Sequence, residues 1–154
     1  MEELNEMILG GDTNETQGKY LTFCVSDDEY GMEIAYVTEI IGIQPITDVP
    51  DIPSYIKGLI NLRGKITPVM DVRLRFNKPP QEYDDRTCII VVSHMNTSIG
   101  LIVDTIRDVL VIDDSQIGDP AAATAQQNRY IKSIARTDHG NKLLINLEKV
   151  LSDH

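Results

Sequence analysis

The residues of this 154-residue chain that could do chemistry are few and scattered. His94, His139 and His154 stand apart, at a hairpin end, in a turn and at the last position. Cys24 and Cys88 lie among Val, Ile and Phe, and read as buried thiols of a reducing compartment. There is no Cys-x-x-Cys, His-x-His, His-Glu-x-x-His or Gly-x-Ser-x-Gly, and no Gly-rich phosphate loop before a helix. The run Asp113 to Asp119 has the acids of a calcium loop, but the oxygen spacing before its Gly is wrong and no Glu closes it. Asp71, Tyr130 and Ser133 could each carry a proton, yet nothing in the sequence groups them. No catalytic residue, metal or cofactor is expected.

Charge is distributed less evenly. The whole chain carries -10, while Lys57 to Lys78 holds six basic residues (Lys57, Arg63, Lys65, Arg73, Arg75, Lys78) against Asp71 alone. An acidic protein is poorly suited to neutralising phosphates, and with no Trp and two Phe it offers few surfaces for stacking bases. A β-barrel module that binds a small ligand or nucleic acid through the Lys57–Lys78 patch is the competing reading; its affinity would fall steeply with salt. The N-terminus has neither the basic start nor the apolar run of a secretory signal, and no stretch approaches the ~20 apolar residues of a membrane helix. A cytoplasmic protein without membrane insertion is expected.

A repeat sets where these residues lie along the chain. Residues 1–18 are acidic and weakly patterned, a flexible tail. From Tyr20 the alternation of Leu21, Phe23 and Val25 is that of a strand; Asp27-Asp28-Glu29 reads as the turn, and Tyr30 to Ile34 as the returning strand. The segment from Ile89 repeats this pattern: shifted by 69 positions, Gly31 meets Gly100, Val37 meets Ile106, Glu39 meets Asp108 and Ile40 meets Val109. The second turn then falls at Asn96-Thr97-Ser98. Tyr55-Ile56-Lys57 recurs as Tyr130-Ile131-Lys132, shifted by 75, and the extra residues lie in the Gly118–Arg129 loop. Two copies, approximately 19–80 and 86–152, are too short to bury separate large cores, so they should pack together, with strands open to exchange. Leu59–Leu62 and Ile66–Val72 form a second hairpin around Arg63-Gly64-Lys65, with Pro68 at an edge or bulge. The turn equivalent by the repeat is Asp138-His139-Gly140-Asn141, so the basic residues of the first are not needed for folding. One late helix is expected near Asn146 to Ser152.

Tyr20 to Ile34, VTEIIGI, YIKGLINLRGKITPVMDVRLRF and CIIVV…GLIVDTIRDVL resemble the CheW family of chemotaxis coupling proteins. The likeness spans Lys19 to Leu151, and its most specific element is the Asn61–Gly64 turn followed by the PVMDVRLRF strand. The resemblance implies an all-β fold of two pseudo-symmetric, five-stranded SH3-like barrels with one or two short helices, making residues 19–154 one CheW-like domain. It also implies a non-catalytic adaptor that couples the histidine kinase CheA, through its regulatory domain, to the cytoplasmic tips of methyl-accepting receptors. The adaptor would be recruited to receptor arrays at the inner face of the membrane. Carried over residue by residue, Val37, Glu39 and Ile40 would line one wall of the receptor-binding groove, and Gly58, Arg63 and Gly64 the other. The apolar pair Val37 and Ile40 would seat a receptor helix, with Arg63 selecting its acidic side chains. A pairing of Arg63 with Glu39 is the alternative use of that charge. The resemblance singles out no kinase-binding side chain.

Overall fold

The computed structural model describes residues 17–120 and 129–152. The expected tail, apart from its last two residues, therefore lies outside the described residues, as do His154 and most of the Gly118–Arg129 loop. Among the described residues eleven strands and two short α-helices follow in chain order. They are β1 (Lys19–Val25), β2 (Asp28–Glu33), β3 (Val37–Gly42), β4 (Ile56–Leu62), β5 (Lys65–Asp71), α1 (Val72–Arg75), β6 (Cys88–His94), β7 (Thr97–Val103), β8 (Thr105–Val111), β9 (Ile117–Gly118), β10 (Ile131–Thr137), β11 (Gly140–Ile145) and α2 (Leu147–Leu151).

The strands make two sheets, ordered β8-β1-β2-β11-β10-β9 and β3-β6-β7-β5-β4. Matching β1 to β6, β2 to β7, β3 to β8, β4 to β10 and β5 to β11 turns one order into the other, so the repeat is a property of the fold. Each sheet contains the first hairpin of one copy inserted among strands of the other. At the two places where a hairpin meets the other copy in parallel, Gly31 pairs with Leu144 and Gly100 with Val69. A Cβ at Gly100 would lie 2.6 Å from Ile89 Cγ2, and one at Gly31 would lie 2.9 Å from Leu144 Cδ2. Glycine recurs at this position because the crossing leaves no room for a side chain. The first sheet has one strand more than expected, the two-residue β9.

The main core lies between the sheets, with Leu21, Phe23, Tyr30 and Met32 from one packed on Ile40, Ile90, Leu101 and Val103 from the other. Each sheet also curls around a smaller cluster. Ile60, Val69, Ile89, Val91 and Ile102 fill the second sheet, whereas the first holds only Ile112, Ala135 and Leu144. The positions matching Val91 and Ile102 are Thr22 and Glu33, which accounts for the thinner core.

Local chemistry explains where the expected elements shift. The first hairpin of each copy turns at Ser26-Asp27 and Met95-Asn96 respectively, with Val25 paired to Asp28 and His94 to Thr97. Both turns fall earlier than the runs of polar residues suggest. Ser26, Met95 and Asn96 take positive φ, and Glu29 belongs to β2, where it pairs with Lys142. Pro68 sits in an interior strand and not at an edge, two pairs from the Ile56–Gly58 slip in the β4–β5 register. Its partner Leu59 directs both backbone groups to Thr47, so Leu59 and Pro68 form a pair without mutual hydrogen bonds. Proline's missing donor therefore costs β4 nothing, and parallel pairing to β7 begins only at Val69. Asn146 accepts from Lys149 N to cap α2, and Asp71 caps α1, the second short helix, in the same way through Leu74 N, where the sequence pattern continues the strand to Val72.

Candidate functional site

The Asn61–Gly64 turn is built from its own residues. Arg63 (φ 53°) and Gly64 (φ 83°) are both left-handed, and Gly64 N donates to Asn61 Oδ1 at 2.7 Å. Two successive positive φ angles match the twist of the flanking strands, a geometry that favours Asn or Gly; an Arg in the first place costs about 1 kcal/mol. At its foot, Gly58 has φ 147°, and a Cβ there would come within 2.1 Å of Thr47 O. The 43–55 loop crosses β4 at that point, and only glycine lets it pass.

The turn carries Arg63 to Glu39 on β3. Arg63 Nη1 donates to Glu39 Oε1 at 2.7 Å and Nη2 donates to Oε2, a two-pronged ion pair. The Arg63 side chain is 66% exposed and that of Glu39 15%. Because β3 and β4 are the opposite edges of their sheet, this bridge requires the sheet to curl until its edges meet. The alternative use of the Arg63 charge is thus the one the structure contains.

Val37 and Ile40 are 6% and 1% exposed and belong to the main core, so the expected exposed apolar seat is absent. Three positions apart on a regular strand they would face opposite ways. The register between β3 and β6 slips between Val37 and Glu39, which puts Val37 opposite Val92 and Ile40 opposite Ile90 on the same inward face. Thr38 secures this bulge by donating to Val91 O at 3.0 Å. Glu39 is left pointing the other way, toward Arg63.

The basic segment does not form a free patch either. Arg73 holds Asp104 through Nε (2.8 Å) and Nη2 (2.7 Å), and this bond raises the guanidinium pKa further. Arg75 is buried, donates to Val150 O at 2.9 Å and to Ser152 O, and lies 4.3 Å from the Tyr55 ring centre and 5.0 Å from that of Tyr130. It satisfies the carbonyl end of α2 while stacking between two tyrosines equivalent by the repeat. Lys78 faces Asp28 at 3.4 Å. Of the six cations of the segment, Arg63, Arg73 and Lys78 enter ion pairs and Arg75 is spent on carbonyls and rings; among the described residues Lys57 and Lys65 have no such partner. A ligand or nucleic acid would find most of this charge already used, which removes the basis of the competing reading.

The candidate acid–base residues stay apart. Asp71 accepts from the Tyr83 hydroxyl at 2.6 Å, and burial together with this bond pushes the phenol far above its usual range. Both line an open polar cleft of about 430 Å³. In the same cleft Arg73 pairs with Asp104, and Arg107 Nε donates to Cys24 Sγ at 3.0 Å. Tyr130 stacks on Phe76, and Ser133 sits at a slip in the β10–β11 register. His94 meets Tyr36 edge-on, and Asp113 with Gln116 closes a capping box, so the Asp113–Asp119 run serves as a turn. Sequence reasoning missed the bulge at Thr38 and the Tyr83–Asp71 contact; the three-residue spacing of Val37 and Ile40 was the available sign of the first.

Known proteins share this arrangement. The family model for the CheW-like domain matches residues 19–154. The chain is 34% identical over 140 residues to the chemotaxis protein CheW of Klebsiella aerogenes, covering 90% of this chain and 84% of that one. It is 36% identical over 131 residues to CheW of Bacillus subtilis, covering 84% and 83%. The crystal structure of the scaffolding protein TtCheW from Thermoanaerobacter tengcongensis superposes with a TM-score of 0.79 at 33% identity, covering 88% of this chain and 92% of that one. The two curled sheets are SH3-like subdomains of that kind. The chain belongs to the CheW family, and it is a chemotaxis coupling adaptor rather than an enzyme.

Proposed function

We propose that this adaptor bridges the regulatory domain of the kinase CheA and the cytoplasmic tips of methyl-accepting receptors, in the cytoplasm and within arrays at the inner membrane face. The observation that carries the receptor side is the exposed Glu39–Arg63 pair. An exposed ion pair is worth about 0–1 kcal/mol, no more than the strain of Arg in a left-handed turn, where Asn or Gly would fold at least as well. Stability alone gives little reason for Arg63. Its guanidinium has five N–H donors, and Glu39 engages two of them. The remainder can meet an acidic side chain of a receptor helix. Gly58 and Gly64 set the hairpin's height and reach, and Val37 and Ile40 act from beneath by anchoring the bulge that turns Glu39 outward. Co-sedimentation with CheA and receptor fragments, separately and together, tests the reading: each should bind alone, and all three should pellet as one complex. Failure to bind either fragment at micromolar concentration contradicts it.

A further inference from the structure

The two copies carry the same bulge but hold it from opposite strands. Between β1 and β8 the register skips Arg107, so Arg107 and Asp108 together oppose Thr22, as Thr38 and Glu39 together oppose Val91. In the second copy the grip comes from the neighbouring strand. Thr22 Oγ1 donates to Asp108 O and accepts from Asp108 N, both at 3.0 Å. The extra residue takes no part in it, and Arg107 reaches instead to Cys24 Sγ at 3.0 Å. In the first copy the residue equivalent to Thr22 is Val91, whose side chain has no hydrogen-bonding atom and packs in the second sheet's own cluster. Here the grip comes from the bulged strand itself, where the exposed Thr38 donates to Val91 O at 3.0 Å.

This difference falls on the residue that follows. Burial of Val37 and Ile40 in the main core fixes where the bulge begins and ends. Apolar burial does not decide which of Thr38 and Glu39 turns to Val91 and which turns away, because neither belongs to a core cluster. The hydroxyl decides it. With Thr38 held to β6, Glu39 is directed to the sheet edge, where Arg63 Nη1 and Nη2 take its two oxygens. Asp108, whose backbone is held from across the strand, accepts from Val109 N at 2.7 Å and stays on its own strand.

We propose that Thr38 is a positioning residue of the recognition pair: its hydroxyl, bound to Val91 O, aims Glu39 at Arg63. Thr38 acts through the pair and not by touching a partner. Its effect on receptor binding rests on the adaptor reading, but its effect on the pair does not.

The test compares two variants of the full-length chain. Thr38→Val keeps the branched shape and removes the hydroxyl, and Thr38→Ser keeps the hydroxyl. Side-chain NMR of Arg63 is read first, with no partner present. In the parent the two-pronged pair holds the guanidinium, so its Nη protons should give separate signals. They should merge in Thr38→Val, as in Glu39→Ala, and stay apart in Thr38→Ser. Melting temperatures should stay within about 4 °C of the parent. A receptor fragment should then bind Thr38→Val about fivefold more weakly or worse, with binding of the CheA regulatory domain unchanged. In an Arg63→Ala background the same substitution should change receptor affinity by less than about twofold, since the pair through which Thr38 acts is gone. Separate Arg63 signals in Thr38→Val, merged signals in Thr38→Ser, an equal fall in receptor and kinase binding, or an undiminished fall in the Arg63→Ala background would each overturn the proposal. A parent that binds no receptor fragment overturns the adaptor reading alone, and the Arg63 signals still decide the role of Thr38.

Discussion

The two hairpin ends related by the repeat, β4–β5 and β10–β11, share topology but differ in nearly everything a partner could touch. One turns through Arg63 and Gly64, both at positive φ; the other pairs Thr137 with Gly140 and leaves the positive φ to Gly140 alone. Arg63 reaches Glu39, whereas its equivalent Asp138 shares a sign with Asp108, the equivalent of Glu39. Asp108 instead folds onto its own strand and accepts from Val109 N at 2.7 Å. Beneath both ends the bulge is kept: the β1–β8 register slips so that Ile106 and Val109 face Phe23 and Leu21, just as Val37 and Ile40 face inward. What the fold needs is therefore duplicated, and what differs is free to serve recognition.

The largest expected effect comes from the foot of the hairpin. Gly58→Ala should destabilise by about 3 kcal/mol or more in denaturant titration, because the new Cβ meets the Thr47 carbonyl. At the equivalent position, Ser133→Ala should stay within about 0.5 kcal/mol; equal effects would break the comparison. Next, Arg75→Ala strips the end of α2 of its donors and the two tyrosines of their cation, and should cost about 2–3 kcal/mol by the same measurement. Tyr83→Phe should cost about 1 kcal/mol near neutral pH for the lost bond to Asp71. Its pH dependence has a definite sign. The folded phenol holds its proton far more tightly than an unfolded one, whose pKa is about 10, so the parent loses stability as pH rises past that value. The variant should lack this part of the alkaline decline; parallel profiles would contradict the assignment. The smallest effect is at the turn itself: Arg63→Asn should leave the unfolding midpoint within about 0.5 kcal/mol, as the easier backbone offsets the lost pair.

Much of this was legible in the sequence, because turn chemistry and alternating apolar residues fix hairpins and the repeat fixes which hairpins are equivalent. The Asn61–Gly64 turn and the helix after Asn146 follow from local rules of this kind. The site was less legible, for reasons of register. A bulge moves Val37 and Ile40 to one face without any distinctive residue type, since Thr38 is ordinary in a strand. Pro68 argued for an edge or a bulge because non-hydrogen-bonded pairs are not marked in sequence. The cations of Lys57–Lys78 formed a patch only in linear order; Asp104, Asp28 and the end of α2 approach them from distant parts of the chain.

If Arg63 is present for a partner and not for the fold, reversing its charge should separate the two roles. Arg63→Glu, Glu39→Arg and the double swap should be titrated with a receptor fragment and, separately, with the CheA regulatory domain, alongside thermal melts. Arg63→Glu should shift the melting temperature by only about 2–4 °C and leave kinase binding within about twofold. Receptor affinity should fall by about 30-fold or more, as when an interface anchor is lost. The double swap should restore the ion pair and the melting temperature without restoring receptor binding. Receptor affinity that returns with the swapped pair, or that never fell, would show that the pair only closes the sheet, and would contradict a role for Arg63 in recognition.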